Sequence, residues 1–229
     1  MKPSAEIVRL AAEIRSRLHA LPNASTSPVR ELRREFSKRI KSATPESVLS
    51  LALHLLGDNS ETLRFFAYEL LTKHKAGFGQ LTEHDLLRLG DGIDSWSSVD
   101  CFGLYLSGPM WANGKVPSKA IAGWARSHDL WWRRAALVST VPLSRRGKSD
   151  DIVNVRRVCV LLAADREDMV VKALSWALRE LAKKHPDEAR AFLAKHKQAL
   201  AARVLREVNN KLSTGLKTPR SRAGFRGAH

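Results

Sequence analysis

The sequence predicts an all-α fold of stacked antiparallel helix pairs. Apolar residues recur three and four apart along nearly the whole chain, and strand-type alternation is nearly absent. The helical segments form consecutive pairs of about 35–45 residues joined by short turns, a spacing that resembles HEAT or armadillo stacking. Such an α-α superhelix presents a long concave surface, and the uneven basic charge of this chain makes a basic groove the expected form of it. No strong internal identity links the pairs, so an irregular helical bundle is the alternative.

Taken in order, the periodicity predicts helices over 5–20, 28–41, 45–56, 60–74, 82–90, 95–107, 117–126, 130–140, 150–163, 167–184, 187–195 and 197–211. Thr44-Pro45-Glu46 places a capping hydroxyl ahead of a proline at the first helical position. Asp58, Asn59 and Ser60 offer alternative caps before Glu61. His185-Pro186 closes one helix and opens the next. The stretches 106–117 (LSGPMWANGKVP) and 142–149 (PLSRRGKS) read as turn-rich loops. Residues 1–213 read as a single repeat domain. Residues 214–229 read as a basic, disordered tail that is either inert or adds non-specific phosphate affinity.

The chain has 229 residues, 44% of them hydrophobic, enough for a sizeable core. Its formal net charge is +16. Residues 1–100 carry 14 Lys and Arg against 13 Asp and Glu, whereas residues 101–229 carry 25 against 10. Solubility alone does not require that asymmetry. An acidic partner meeting the second half explains it, and nucleic acid is the commonest. Cys101 and Cys159 are far apart in apolar surroundings and read as small buried hydrophobes. The eight histidines are scattered without zinc-ligand spacing. No metal or organic cofactor is expected. The first eighteen residues contain acids and no uninterrupted apolar core, unlike a secretory signal, and nothing approaches a membrane span. A cytoplasmic monomer, associated with the nucleoid when bound to DNA, is expected.

Within VVKALSWALRELAKKH (170–185), Lys172, Trp176, Arg179 and Lys183 fall within about 60° of one another on a helix. Val171, Leu174, Leu178 and Leu181 form the opposite, core-facing side. The indole is thus displaced from the core face and flanked by cations, which suits an anionic polymer with flat or sugar surfaces. Alternatively, a neighbouring helix covers it and its ring stacks on the basic stems.

In IDSWSSVDCFGLYLSG (93–108), Val99, Phe102 and Leu106 share one helical face. Asp100 lies opposite, with Trp96, Ser97, Gly103 and Ser107 nearby. Trp96 and Asp100 are one turn apart, so an indole and a carboxylate meet on one face. Either this carboxylate is aimed at developing positive charge, or it is ion-paired to an arginine. Arg134 projects from SHDLWWRRAALVSTV (127–141), a helix that is apolar almost all round and is capped by Asp129. It either pairs with an internal acid or reaches a phosphate.

SWSSVD, WWRRAA and VKALSWALRELAKKHP together resemble the motifs of bacterial DNA alkylation repair glycosylases of the AlkD type. The resemblance spans about residues 44–212 and is strongest from 93. Before that it is loose, carried by SPVRELRR (27–34), and the aromatic residue expected in the first helices is not evident. It implies a stack of HEAT-like repeats that excises cationic N3- and N7-alkylated purines from duplex DNA without flipping the base. Trp96 and Trp176 match the two tryptophans that flank the lesion's deoxyribose. Asp100 matches the catalytic carboxylate, and Arg134 the arginine that holds the DNA backbone. Lys172, Arg179, Lys183, Arg203, Arg206 and Lys211 are the further candidates for phosphate contacts. Two readings compete. One is a helical-repeat protein that binds damaged or branched DNA without catalysis. The other is a scaffold for an acidic protein.

Overall fold

The computed structural model describes residues 3–58 and 60–219. All regular structure among them is helical, as the periodicity predicts. The described chain divides into two compact units, 1–121 and 122–229.

The first unit contains α1 (Ala5–His19), α2 (Thr26–Arg39), α3 (Pro45–Leu56), α4 (Glu61–Lys73), α5 (Lys75–Gln80), α6 (Glu83–Leu89), α7 (Trp96–Cys101) and α8 (Gly108–Ala112). A π-helical segment, Phe102–Ser107, joins α7 to α8. Helix α1 packs on α3 and α2 on α4, and α3 and α4 pack on each other. Apolar residues one turn apart build this core. Ile14, Phe36, Leu55, Phe66 and Leu70 are fully enclosed. Phe36 and Phe66 meet edge to face at 6.0 Å.

The caps follow the sequence. Thr44 Oγ1 accepts from the Ser47 amide at 3.3 Å, with Pro45 in the first turn of α3. Of the alternatives before α4, Ser60 is the cap, its hydroxyl accepting from Leu63 N at 3.4 Å. Helix α5 was not expected, because two of its six residues are glycine. The His74 imidazole starts it by accepting from Gly77 N at 2.9 Å. An added Cβ at Gly77 would lie 2.9 Å from His74 Nδ1, so the cap itself favours glycine there.

The sequence reading also failed over 106–117. The π-helical segment runs directly into α8 instead of giving way to a loop at 106. Pro109 has no N–H to bond the carbonyl four residues back, and its ring crowds that carbonyl. The widened turn ahead of it relieves both problems without breaking the rod. Ser107 Oγ donates to Phe102 O within this turn.

The second unit holds α9 (Ser118–Trp124), whose first residues belong to the first unit, α10 (Leu130–Arg146), α11 (Ser149–Leu161), α12 (Asp168–Lys184), α13 (Pro186–His196) and α14 (Ala202–Thr214). Helix α12 is its hub, packing on α10, α11, α13 and α14. Asp129 caps α10, accepting from Trp131 N at 2.7 Å. Every residue from Arg134 to Val141 is buried, so α10 is central as its all-round apolarity predicts.

Helix α10 does not stop near Pro142 but continues to Arg146, where a loop was expected. Burial of Leu143 and Ser144 carries it past the proline, and it ends at Gly147, which has φ 74°. Two basic residues in its last turn suit the negative end of the helix dipole. Helix α14 starts at Ala202, not 197, since a turn bonded back to His196 O occupies 197–200. Residues 215–219 fold against α14, where Asn210 Nδ2 donates to Lys217 O at 3.1 Å. The rest of the expected tail, 220–229, lies outside the described residues.

Candidate nucleic-acid site

Two separate features answer to the residues singled out in the sequence, one in each unit.

In the first unit, a cleft of about 340 Å³ is lined by α2, α4, α7 and the π-helical segment. Trp96, Ser97, Asp100, Cys101, Leu104 and Tyr105 form one wall, and Arg30, Glu61 and Phe65 face into it from α2 and α4. Trp96 is 59% exposed, an unusual surface for an indole. Its helix is firmly started. Ser95 and Ser98 form a reciprocal capping box, with both side-chain-to-amide distances 3.2 Å. Ser95 Oγ also donates to Glu61 Oε1 at 2.5 Å. The hydroxyls of Ser95 and Ser97 hold the Glu61 carboxyl below its ordinary range.

Val99, Phe102 and Leu106 are buried as expected. Gly103 and Ser107, expected beside Asp100, are buried instead. Leu104 and Tyr105 take their place in the cleft. The extra residue in the π turn rotates the face by about 100°, which an unbroken α-helical wheel does not anticipate. Cys101 also lines the cleft, and burial pushes its thiol up to about 12.

Behind α7, a buried arginine holds the connection that leads into it. Arg64 Nη1 donates to Tyr68 Oη and Asp91 O, both at 3.0 Å, and to Leu89 O at 3.4 Å, while Nη2 reaches Gly92 O at 3.2 Å. Tyr68 Oη donates to Leu89 O at 2.6 Å. Burial pushes the Tyr68 phenol up to about 12, so it stays protonated and keeps that bond.

In the second unit, α12 has the amphipathic form that its sequence predicts. Val171, Leu174, Leu178 and Leu181 are buried, and Trp176 lies half-buried with Lys172 and Arg179 on the other side. The cations share three acids that the helical wheel does not reveal. Asp168 meets Lys172 at 2.7 Å and Arg203 at 3.5 Å. Glu180 meets Lys183 at 2.6 Å and Arg145 at 3.2 Å. Glu207 meets Lys217 at 3.6 Å and Arg179 at 3.8 Å. Each acid thus braces two basic side chains, leaving a positive excess at every station. Trp176 Nε1 donates to Glu180 Oε1 at 3.3 Å, so the indole edge is fixed to the same array.

A model of the DNA alkylation repair enzyme family matches residues 23–212. The chain belongs to that family. A search of curated proteins found no match. The fold is similar to a solved structure described as a predicted DNA alkylation repair enzyme from Enterococcus faecalis. The TM-score is 0.69 at 15% identity, over 93% of this chain and 98% of that one.

As a DNA alkylation repair family member, the protein has DNA as its implied substrate. Among the described residues, no group of three His, Cys, Asp or Glu could hold a metal ion. No described helix is long and apolar enough to cross a membrane.

The structure places Trp96 and Asp100 together in the first unit's cleft. It places Lys172, Trp176, Arg179 and Lys183 together on α12 in the second unit. Arg203, Arg206 and Lys211 lie on α14, which packs on α12. Arg134 is only 5% exposed, and its Nη1 donates to Met169 O at 2.6 Å, tying α10 to the start of α12. The adjacent Arg133 pairs with Asp165 at 2.8 Å. Arg30, Glu61, Phe65 and Tyr105 were missed in the sequence. They come from three segments, and only SPVRELRR marked any of them.

Proposed function

We propose that the protein is a DNA glycosylase that hydrolyses the N-glycosidic bond of cationic N3- and N7-alkylated purines in duplex DNA, without flipping the base. The observation that carries this reading is the cleft in which the exposed indole of Trp96 and the carboxyl of Asp100 share one helix face. Family membership supports repair of alkylated DNA as the setting.

An alkylated purine carries positive charge, so it departs readily with the electron pair of the C1′–N bond and becomes neutral. The sugar left behind is oxocarbenium-like. Asp100 supplies the opposing charge and orients water toward C1′, and that water gives up one proton as its oxygen bonds the sugar. Trp96 offers an electron-rich face to the same cation. No strong acid is required for the leaving base, which fits a cleft whose second carboxyl, Glu61, is held ionised by hydroxyls. Trp176 is assigned to the same chemistry by its motif. Lys172, Arg179, Lys183, Arg203, Arg206 and Lys211 hold phosphates, each station on α12 offering its surplus cation. Arg134 acts through its bond to Met169 O, fixing the first turn of α12.

The test is incubation with methylated duplex DNA and chromatography of released 3-methyladenine and 7-methylguanine, with Asp100→Asn alongside. Release by the wild type alone supports the reading. Salt-sensitive duplex binding without release selects the non-catalytic DNA binder. Absence of both leaves the acidic-partner scaffold.

A further inference from the structure

We propose that Arg30 anchors a DNA phosphate in the cleft that holds Asp100. This rests on reading that cleft as one that receives DNA.

The cleft poses an electrostatic problem for a polyanion. Asp100 and Glu61 both line it, and each adds negative charge where a nucleotide must enter. A nucleotide brings its flanking phosphates with its sugar. Among the described residues lining the cleft, Arg30 is the one that carries a Lys or Arg charge. Without a cation there, the carboxylates that favour a cationic sugar also repel the strand that carries it.

Arg30 is built for a ligand more than for an exposed ion pair. Its Nε donates to Glu69 Oε1 at 2.7 Å, and its Nη2 to Tyr105 Oη at 3.0 Å. The guanidinium lies 5.5 Å over the Phe65 ring. Those three contacts fix the plane of a side chain that otherwise has large rotamer freedom. Glu69 is itself rigidly placed. Its carboxyl is 4% exposed and also faces Arg33 Nε at 3.5 Å. One buried carboxylate between two arginines leaves a net positive charge, and Arg30 is the member that opens outward, at 38% exposure. Of its five N–H donors, the bonds to Glu69 and Tyr105 use two. The rest face the cleft in a planar fork, the geometry that matches a phosphate bidentately.

This assigns part of the DNA footprint to the nearly neutral half of the chain. Tyr105 becomes a positioning residue, brought to Arg30 by the π turn of its helix.

The experiment is binding of a fluorescent, undamaged duplex by anisotropy over a potassium chloride series. It compares wild type, Arg30→Gln and Arg30→Lys, with thermal melting of each. Arg30→Gln should bind about tenfold more weakly and lose about 0.9 from the log–log salt slope, the share of one phosphate. Arg30→Lys should keep the slope yet bind about fivefold more weakly, because an ammonium keeps the charge without the fork. On methylated duplex, both should raise KM more than they lower kcat. Arg30→Gln with wild-type slope and affinity overturns the proposal. If Arg30→Gln fails to fold, Arg30→Lys decides, and a wild-type Kd in that variant overturns it. Wild-type protein that binds duplex but releases no alkylpurine sinks the glycosylase reading and leaves Arg30 to be judged by the slope. Wild-type protein that does not bind duplex overturns both.

Discussion

Trp176 donates its indole N–H to Glu180 Oε1, one turn further along α12. The same carboxylate accepts from Lys183 at 2.6 Å and Arg145 at 3.2 Å, so one buried acid orients an aromatic ring and two cations. Glu180→Ala should leave those cations unbraced and cost about 2 kcal/mol, the scale of losing a buried hydrogen-bonded charge. It should also weaken duplex binding, because the bases and the indole lose their fixed geometry. Urea melts and anisotropy check the two effects separately. Wild-type stability in Glu180→Ala would mean that the carboxylate is incidental.

The pH dependence of stability carries the same signature. Burial alone would raise the Glu180 carboxyl, but Lys183 and Arg145 outweigh it and hold it below 4.5. A carboxyl with a lowered folded pKa contributes stability that is present above its unfolded value. That contribution is lost as pH falls through the folded one. Glu180→Gln should therefore be less stable than wild type at pH 7, with the gap closing under acid conditions below pH 4.5. A pH-independent gap would assign the loss to packing.

Arg64 bears on the cleft from behind. Its guanidinium is satisfied by Tyr68 Oη and the carbonyls of Leu89, Asp91 and Gly92. That places the turn from which α7 starts. Arg64→Ala leaves buried carbonyls without donors and should destabilise the protein by about 2–4 kcal/mol. Arg64→Lys, which keeps a donor but not the fork, should fold and lower kcat for base release by displacing Trp96 and Asp100. Full activity in Arg64→Lys would show that the 89–92 turn does not set the helix.

The fold class was legible because helical periodicity and cap chemistry are local. Thr44-Pro45 and Asp129 act within a few residues of themselves and behave as the sequence says. The errors fell where packing overrode local rules. Proline reads as a stop signal, yet Pro109 follows a widened π turn and Pro142 sits within a helix that continues to Arg146. Trp96 and Asp100 were readable as a pair because they are one turn apart on α7. Arg30 and Tyr105 were not, since 75 residues separate them and only the packing of α2 beside the π-helical segment brings them within 3.0 Å. The paired acids on α12 were hidden differently. Glu207 comes from α14, and Glu180 looks like a core-side residue until its partners are seen.

Both thiols should be slow to react in the folded protein. Burial pushes Cys101 and Cys159 up to about 12. At pH 8 the thiolate fraction is then about one in ten thousand, against about a quarter for a free cysteine. Ellman's reagent should label neither at the rate of a free thiol until guanidinium is added, when both should react. Rapid native labelling of Cys101 would show that the Asp100 cleft opens to solvent more widely than its burial implies.

Asp100 separates chemistry from binding. Its carboxyl lines a cleft that must admit a polyanion, so it opposes phosphate approach while favouring an oxocarbenium sugar. Removing the charge should act in opposite directions on the two steps. Asp100→Asn should lower alkylpurine release by about 100-fold to 1,000-fold, the usual loss when one preorganised electrostatic group is removed. Its affinity for an undamaged duplex should match or slightly exceed that of wild type, with an unchanged salt slope, because no phosphate contact has been lost. Trp96→Ala should lower kcat without that gain in affinity, since the indole supplies a surface and no net charge. Single-turnover release and anisotropy on the same preparations settle the matter. If Asp100→Asn loses binding and release together, and melts at a lower temperature, the carboxyl holds α7 in place. The charge that stabilises the sugar would then have to come from Glu61, the other acid of the cleft.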